Sequence, residues 1–353
     1  MNEWTALSGV APGSAAHAVW PPWRLDGTCI VTRIAVLTSG GDAPGMNAAI
    51  RAVARLGVAH GFEIVGVRHG YTGLIAGDCV PLGPRDVGGI IGRGGTLLGT
   101  TRCNDLKTEA GQAAAERTMR ERGIDGLVVI GGNGSQAGAA ALSQRGLAVI
   151  GLASTIDNDL PGADITIGAT TALDTAVEAI DRLRVTAASH RRAFLVEVMG
   201  RQHGFLGLHA GIAGGAEAVV LPEVRVEPET VAAEILGSYE RGKSHAIVVV
   251  AEGAQYDAEA LASYFRAHEQ RLGFELRVVR LGHLQRGGSP GVFDRLYATQ
   301  LGAAAIEHAE AKRWGVLLGQ INGRVTATPL SAIAGVTKTL ELELYRLAYL
   351  LAQ

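Results

Sequence analysis

Two carboxylates stand two residues apart in Ser154–Asp159, a segment that follows an apolar run ending at Ala153. In extended backbone, side chains two residues apart point to the same side, so we expect Asp157 and Asp159 to face one space. Such a pair can hold Mg²⁺, or one carboxylate can take a proton from a hydroxyl group. An Asx turn or a helix cap is the structural alternative for this segment.

Glycine- and hydroxyl-rich loops occur three times: GGDAPGMN at 40–47, GGTLLGTTR at 94–102 and GGNGS at 131–135. Glycine lets the backbone approach an anion closely, and free N–H groups at a helix start can bind phosphate. None of the three is a Walker A or a GxGxxG motif. Each alone could be a structural turn, but three together favour a large phosphorylated ligand.

Cationic side chains stand at the ends of several apolar strands: in His190-Arg191-Arg192, in Met199-Gly200-Arg201, at Arg277 and in the run 283–288. A guanidinium group grips phosphate with two parallel hydrogen bonds, although a single surface arginine is more often a solvated charge. Together with the loops and the carboxylates, these groups indicate phosphoryl transfer. The donor would be nucleotide-like and the acceptor a phosphorylated small molecule.

The elements that must position these residues alternate between strand and helix. Continuous apolar strands are predicted at RIAVLTS, FEIVGVRHG, IDGLVVIGG, GLAVIGLAST, AFLVEVMG, EAVVLPE, HAIVVVAEG and LRVVRLGH, and helices at 47–61 and 170–190. This pattern predicts an α/β fold with mostly parallel sheets covered on both faces. Ligands bind at the carboxyl ends of such strands, where the glycines, hydroxyls and charges are found.

Length and composition limit the remaining possibilities. A chain of 353 residues predicts about two domains, and 47% hydrophobic with 19% charged residues excludes a disordered protein. The 49 glycines are about twice the usual ~7% share and follow no collagen period. A net charge of −2 argues against a nucleic-acid partner. No apolar run approaches a membrane span, and the three cysteines show no metal spacing, so we expect a reduced, cytoplasmic setting.

Residues 1–30 differ from the rest, because they carry three of the four tryptophans and the pair Pro21-Pro22. They lack the basic start and clean apolar stretch of a secretory signal. We expect Val31 to be the native start and residues 1–30 to be an N-terminal extension that is disordered or not native. A genuine N-terminal arm is the alternative.

From Val31 to about Gln353 the chain resembles the bacterial ATP-dependent 6-phosphofructokinases. GGDAPGMNAAIR (40–51), GGTLLGTTR (94–102), GGNGS (131–135), TIDND (155–159), MGRQHG (199–204) and LGHLQRGGSP (281–290) occur in family order. The resemblance implies a glycolytic kinase that phosphorylates fructose 6-phosphate at the 1-hydroxyl. It also implies two Rossmann-like lobes with the active site between them: residues 31–168 with 285–335 would bind ATP, and residues 169–284 with 336–353 would bind fructose 6-phosphate.

The resemblance further implies residue roles. Asp157 would be the base, and Thr155 and Arg201 would stabilise the transferring phosphoryl group. The ATP site would comprise Gly41, Tyr71, Arg102, Cys103, Gly132, Asn133, Gly134 and Ser135. Mg²⁺ would be held by Asn133, Asp157 and Asp159. The sugar phosphate would contact Thr155, Ile156, Asp157, Arg192, Met199, Gly200, Arg201, Glu252, Arg277, His283 and Arg286.

In the family, the counterparts of Arg192 and Arg277 reach across from a neighbouring subunit, which implies a homotetramer. An allosteric site for ADP or phosphoenolpyruvate is implied at Arg51, Arg55, Arg184, Glu217, Arg241, Lys243 and His245. The family often has a further arginine where this chain has Pro84. Solvated surface charge is the alternative for these positions.

Two departures from the family pattern leave alternatives open. Asn133 stands where the family usually has an aspartate that binds Mg²⁺, which predicts weaker Mg²⁺ affinity. Ser154 stands where ATP-dependent members usually have glycine, whereas pyrophosphate-dependent members carry lysine there and aspartate at the Gly134 position. ATP is therefore favoured as donor, with a pyrophosphate-dependent enzyme and a low-activity nucleotide- and sugar-phosphate-binding paralogue as alternatives.

Overall fold

The computed structural model describes residues 32–272, 274 and 276–352, so the expectation about residues 1–30 and Val31 lies outside the described residues. The strands are β1 (Arg33–Ser39), β2 (Glu63–Val67), β3 (Cys79–Pro81), β4 (Gly126–Gly131), β5 (Val149–Ala153), β6 (Ala193–Val198), β7 (Ala218–Val220), β8 (Ala246–Ala251), β9 (Leu276–Arg280), β10 (Val316–Ile321) and β11 (Arg324–Pro329).

These strands form two sheets, as the alternating sequence pattern predicts. The seven-stranded sheet has the order β11-β10-β5-β4-β1-β2-β3, and the four-stranded sheet has the order β7-β8-β6-β9. All pairings are parallel except those of the edge strands β3 and β11. Strands β4 and β8 are buried along their whole length, because helices cover both faces of a parallel sheet.

The helices are α1 (Met46–Ala59), α2 (Gly70–Ala76), α3 (Glu109–Glu121), α4 (Asn133–Gln144), α5 (Ala169–His190), α6 (Phe205–Ala213), α7 (Pro228–Glu240), α8 (Ala258–Ala267), α9 (Glu269–Leu272), α10 (Val292–Glu310), α11 (Leu330–Ile333) and α12 (Leu342–Ala352). Short 3₁₀ turns span Asp105–Lys107 and Gly282–Gln285. Within the described part of the chain, each helix is too short or too polar to cross a bilayer.

The register of the larger sheet brings the predicted ligand loops to one edge. Ser39 at the end of β1 pairs with Gly131 at the end of β4, and Gly131 pairs with Ala153 at the end of β5. The loops that follow these three strands therefore leave the sheet side by side. The lobe assignment given above divides the chain between the two sheets, and its boundaries stay a prediction.

The long helix α5 is anchored by a carboxylate from α10. Asp294 is fully buried, and its Oδ1 accepts a hydrogen bond from the Gly168 N–H at 2.8 Å. Its Oδ2 accepts three more, from the Thr170 hydroxyl at 2.7 Å and from the Thr171 N–H and hydroxyl at 2.9 and 2.6 Å. Asp294 thus satisfies the N-terminus of α5, which Gly168 itself cannot cap with a side chain.

Candidate active site

A cleft of about 540 Å³ opens at the carboxyl ends of β1, β4 and β5. Its volume is within the range of ~300–1,000 Å³ typical of small-molecule sites. The predicted residues that line it are Gly41, Tyr71, Arg102, Cys103, Gly132, Asn133, Gly134, Ser135, Thr155, Asp157, Asp159, Arg201 and Arg286. All of the predicted ATP-site residues and all three predicted metal ligands therefore border one space.

The loop between β4 and α4 forms one wall of the cleft. Gly132 precedes α4, and no side chain in the described structure caps this helix, so its first amides remain available to an anion. The Tyr71 hydroxyl donates to the Ser135 carbonyl at 2.7 Å and holds the loop. Burial raises the pKa of Tyr71, so the phenol stays a donor. Apart from its chain neighbours and the backbone of α4, no described atom would lie within 4 Å of a Cβ at Gly134, which leaves this side of the loop open.

Asp157 lies at the centre of the cleft. The residue is 4% exposed, and its Oδ1 has no hydrogen-bond partner among the described residues. Arg201 Nε is 3.8 Å from Asp157 Oδ2, and Arg286 Nη2 is 4.0 Å from Oδ1. Burial raises the pKa of the Asp157 carboxyl and the nearby Asp159 charge adds to the rise, whereas the two guanidinium groups oppose it. Such a perturbed carboxyl in a cleft is typical of a general base.

The segment around Asp157 is not extended throughout. Asn158 adopts a left-handed conformation with φ of 49°, and its Nδ2 donates to the Asp164 carbonyl at 3.1 Å. Extended backbone, the condition for the expected same-side placement, is therefore not met at Asn158, whose side chain bonds to Asp164 instead. Asp157 and Asp159 nevertheless both line the cleft.

The cation opposite Asp157 comes from a tight turn after β6. Gly200 and Arg201 have φ of 137° and 51°, and the Arg201 N–H donates to Glu252 Oε1 at 3.0 Å. A Cβ at Gly253 would come within 1.5 Å of the Arg201 carbonyl oxygen, so glycine is required there. The turn aims the Arg201 side chain, which is 54% exposed, across the cleft towards Asp157.

Arg286 reaches the cleft because Gly41 has no side chain. A Cβ at Gly41 would lie 2.5 Å from Arg286 Nη1, and this nitrogen donates to the Asp42 carbonyl at 3.0 Å. Arg286 is 7% exposed, so its charge is held close to the Asp157 carboxylate. Its predicted contact with the sugar phosphate stays a prediction.

Two side-chain oxygens in the cleft have no partner among the described residues. Asn133 donates from Nδ2 to the Asp159 carbonyl at 3.2 Å, while its Oδ1 is buried and unpaired, as is Asp157 Oδ1. Oxygen donors of this kind suit Mg²⁺, which commonly binds one or two carboxylates together with substrate phosphates. Among residues 32–272, 274 and 276–352, no cluster of three or more His, Cys, Asp or Glu residues could hold a metal. The residues present therefore fit a cation that is shared with a phosphorylated ligand.

The Ser154 hydroxyl is directed into the fold. Ser154 is fully buried, and its Oγ donates to the Ile167 carbonyl at 3.4 Å. The extra hydroxyl therefore has a partner in the protein, although the residue borders the cleft.

The other predicted substrate residues are absent from the described cleft lining: Ile156, Arg192, Met199, Gly200, Glu252, Arg277 and His283. Ile156 is fully buried in the core. Glu252 holds the backbone of Arg201, and Arg277 lies on the edge strand β9, where it pairs with Phe194. The roles of these residues stay predictions.

The predicted effector residues are grouped in part. Lys243 Nζ lies 3.1 Å from Glu217 Oε1, and Glu217 Oε2 accepts from the Ile247 N–H at 2.5 Å. Lys243 and Arg241 both donate to the Ala352 carbonyl. Elsewhere, Arg55 donates to the carbonyl of Pro84 at 3.4 Å. The roles predicted for these residues, and for Arg51, Arg184 and His245, stay untested.

Two buried residues beside the site were not predicted from the sequence. Gln285 accepts from the Met199 N–H at 2.8 Å, and His203 Nδ1 lies 3.0 Å from the Asp157 carbonyl oxygen. His203 lies within the motif 199–204 and Gln285 within the motif 281–290. Their place in these motifs was the one sequence signal that could have identified them. Their burial and partners depend on chain segments far apart in sequence.

Comparisons with known proteins show which sequences and structures this chain resembles. The family model described as Phosphofructokinase matches residues 33–309. The chain is 52% identical over 321 residues to ATP-dependent 6-phosphofructokinase 1 of Thermus thermophilus, covering 91% of this chain and 99% of that protein. It is 47% identical, with the same coverage, to the ATP-dependent 6-phosphofructokinase of Thermotoga neapolitana.

Solved structures share the fold. The Pichia pastoris phosphofructokinase in the T-state superposes with a TM-score of 0.81 at 37% identity, covering 86% of this chain and 35% of that chain. The pyrophosphate-dependent phosphofructokinase of Marinobacter aquaeolei has a TM-score of 0.80 at 21% identity, covering 89% and 86%. At that identity the second likeness concerns the fold alone.

Proposed function

The chain belongs to the phosphofructokinase family, and we propose that it transfers the γ-phosphoryl group of ATP to the 1-hydroxyl of fructose 6-phosphate. The products are fructose 1,6-bisphosphate and ADP. The observation that carries this proposal is the buried, partly unpaired Asp157 carboxylate, which faces two guanidinium groups in a cleft bordered by glycine loops. This arrangement supplies a base and positive charge where a phosphoryl group must pass.

The proposed reaction gives each group in the cleft a separate role. Asp157 takes the proton of the 1-hydroxyl, and the freed oxygen attacks the γ-phosphorus in line with the leaving ADP oxygen. Arg201 faces Asp157 across the cleft and stabilises charge on the transferring group, together with Thr155. The uncapped amides of α4 receive the donor phosphates.

Mg²⁺ is proposed as the cofactor. The unpaired Oδ1 atoms of Asn133 and Asp157 would hold it, with Asp159 at the same cleft. When bound, the ion neutralises negative charge on the donor phosphates.

The donor is proposed to be ATP rather than pyrophosphate. Gly134 leaves open space beside the loop, where an aspartate carboxylate would add negative charge and bulk. Ser154 carries no cation, and its hydroxyl is bonded to the Ile167 carbonyl. The similar proteins named as ATP-dependent enzymes also support this choice.

We further propose a homotetramer with an effector site. In the tetramer, Arg192 and Arg277 of a neighbouring copy, with His283 and Arg286, would bind the 6-phosphate. The linked group Glu217, Arg241 and Lys243, with the other predicted effector residues, would receive ADP or phosphoenolpyruvate. A cytoplasmic location is proposed from the free cysteines Cys79 and Cys103.

Steady-state kinetics with ATP and with pyrophosphate, each across a Mg²⁺ titration, test the function. We expect Mg²⁺-dependent formation of fructose 1,6-bisphosphate with ATP and none with pyrophosphate. Turnover with pyrophosphate alone would identify the pyrophosphate-dependent alternative. Absence of turnover with both donors, combined with binding of nucleotide and sugar phosphate, would indicate the non-catalytic paralogue.

A further inference from the structure

We propose that His203 is a positioning residue, which fixes the distance between the catalytic base and the cation that faces it. His203 is 5% exposed, and its Nδ1 lies 3.0 Å from the carbonyl oxygen of Asp157. The same residue closes the Arg201 turn, because the His203 N–H donates to the Gly200 carbonyl at 2.9 Å. One side chain therefore joins the turn that carries Arg201 to the backbone of Asp157. The inference rests on the function proposed above.

The contact spans two parts of the fold. Asp157 follows β5 of the seven-stranded sheet, whereas His203 follows β6 of the four-stranded sheet. Strands in separate sheets share no ladder hydrogen bonds, so the spacing of their loops must be set by other contacts. The buried His203 contact reaches the Asp157 backbone beside the cleft, and it directly links the two loops.

The Arg201–Asp157 ion pair cannot set that spacing by itself. Its 3.8 Å separation exceeds hydrogen-bond length, and the Arg201 side chain is 54% exposed. An exposed, long side chain keeps much of its rotational freedom. The buried 3.0 Å contact of His203 is shorter and better enclosed, so it holds the backbone on which both catalytic groups stand.

The acceptor determines the tautomer of His203. A carbonyl oxygen only accepts hydrogen bonds, so Nδ1 must carry the proton. His203 Nε2 is buried and has no hydrogen-bond partner among the described residues. A neutral Nδ1–H imidazole is therefore the form that fits this position, with only Nδ1 used for structure.

A matched pair of substitutions tests the role. His203→Leu replaces the imidazole with an apolar side chain of similar length and so removes the hydrogen-bond donor. His203→Asn keeps an N–H donor near the Nδ1 position. We expect kcat to fall about tenfold or more in the Leu variant, because a buried carbonyl loses its partner and the base shifts. The KM for ATP should change by less than twofold, and the Asn variant should recover most of kcat.

His209→Leu is the control for loss of a half-buried histidine nearby. His209 Nδ1 bonds within its own helix to the Phe205 carbonyl and has no bond to the Asp157 segment. Its kcat should equal that of the wild type. Unchanged kcat in His203→Leu would overturn the proposal, as would equal losses in the Leu and Asn variants, which would indicate packing alone. No ATP-dependent turnover in the wild type would instead refute the proposed function.

An independent measurement applies even if the Leu variant fails to fold. Imidazole ¹⁵N chemical shifts of histidine-labelled wild-type protein report the tautomer, and comparison with His203→Asn assigns the signal. We expect a protonated Nδ1 and an unprotonated Nε2 near neutral pH. An Nε2–H tautomer would contradict the inference, because it leaves no proton for the Asp157 carbonyl.

Discussion

At the residue scale, Asp157 combines burial with incomplete hydrogen bonding. The carboxylate has lost most of its water, and its Oδ1 has gained no partner in the described structure. Burial and Asp159 both raise its pKa, so the ionised form is costly to the folded protein. This burial lowers stability, and it makes the carboxylate proposed as the base more basic than an exposed aspartate.

The substitution Asp157→Asn separates the effect of this carboxylate on the reaction rate from its effect on stability. We expect kcat to fall by about 10²–10⁴, the usual contribution of a general base. A carboxyl whose pKa is raised on folding stabilises the protein below its unfolded pKa, and that stabilisation is lost as pH rises through the folded pKa. At pH 7 the Asn variant should therefore melt at the same temperature as the wild type or higher, as thermal denaturation would show.

The acid limb of the rate profile gives a second prediction. Because the proposed mechanism uses Asp157 in its ionised form, kcat/KM should rise with pH through the raised pKa of this group and then level off. The inflection should lie above the usual value of 3.8 for an aspartate. An inflection at or below that value would contradict a desolvated base at this position.

Asn133 uses its amide in a way that a carboxylate cannot. Its Nδ2 donates to the Asp159 carbonyl, and its Oδ1 is buried without a partner among the described residues. Asn133→Asp adds a charge for Mg²⁺, and we expect the half-saturating Mg²⁺ concentration to fall about tenfold, or about 1.4 kcal/mol. Kinetics over a Mg²⁺ titration would measure this concentration. Asn133→Ala, which has neither the amide nor a carboxylate, is the control. An unchanged metal dependence would refute weak Mg²⁺ binding by Asn133.

At the element scale, α5 depends on a carboxylate from a distant helix. Asp294 of α10 accepts four hydrogen bonds at the start of α5, and it is fully buried. This contact joins α5 to α10 through Thr171 and Asp294, which lie 123 residues apart in sequence. It also ties the residue before α10 to α5, because the Thr171 hydroxyl accepts from the Gly291 N–H.

Asp294→Ala should reduce the free energy of unfolding by about 2–4 kcal/mol, since a cap is lost and buried donors are left without an acceptor. Denaturant titration would measure the change. Asp181→Ala, at an exposed position of α5, is the control and should change stability by no more than about 0.5 kcal/mol. Similar effects of the two substitutions would show that the cap is unimportant.

At the scale of the whole molecule, four exposed apolar side chains lie close in sequence to the predicted sugar-phosphate residues His283 and Arg286. Leu284, Val292 and Leu296 are 70, 75 and 60% exposed, and Phe293 is 45% exposed. An exposed apolar patch formed by such side chains would be typical of an interface between proteins. The proposed homotetramer would cover this patch and bring a neighbour's Arg192 and Arg277 to the 6-phosphate.

Leu296→Lys should weaken the tetramer, because a charge would be buried at the interface. The KM for fructose 6-phosphate should then rise about tenfold or more, since hydrogen bonds to charged groups contribute about 1.5–3 kcal/mol each. Light scattering and kinetics would measure both effects, and the KM for ATP should stay constant. Val325→Lys, on the edge strand β11, is the control. A tetramer that survives with unchanged KM would exclude this interface.

The sequence by itself determined the α/β class and the groups that carry the chemistry. Strand β4 and the helix α5 were predictable because burial patterns and glycine positions are local signals. The three loops were predictable as neighbours, since parallel strands end at one edge. The hairpin β10–β11 was not predicted, although its turn at Asn322-Gly323 is a recognisable signal.

Only the tertiary structure decided where individual polar atoms find partners. It directs the Ser154 hydroxyl to Ile167, leaves Asn133 Oδ1 unpaired within the described chain, and sets His203 against Asp157. Each of these contacts depends on backbone brought together from distant segments, and a hydrogen bond tolerates only a few tenths of an ångström. Residue types fix which chemistry is possible, whereas long-range packing fixes which atoms remain free to perform it.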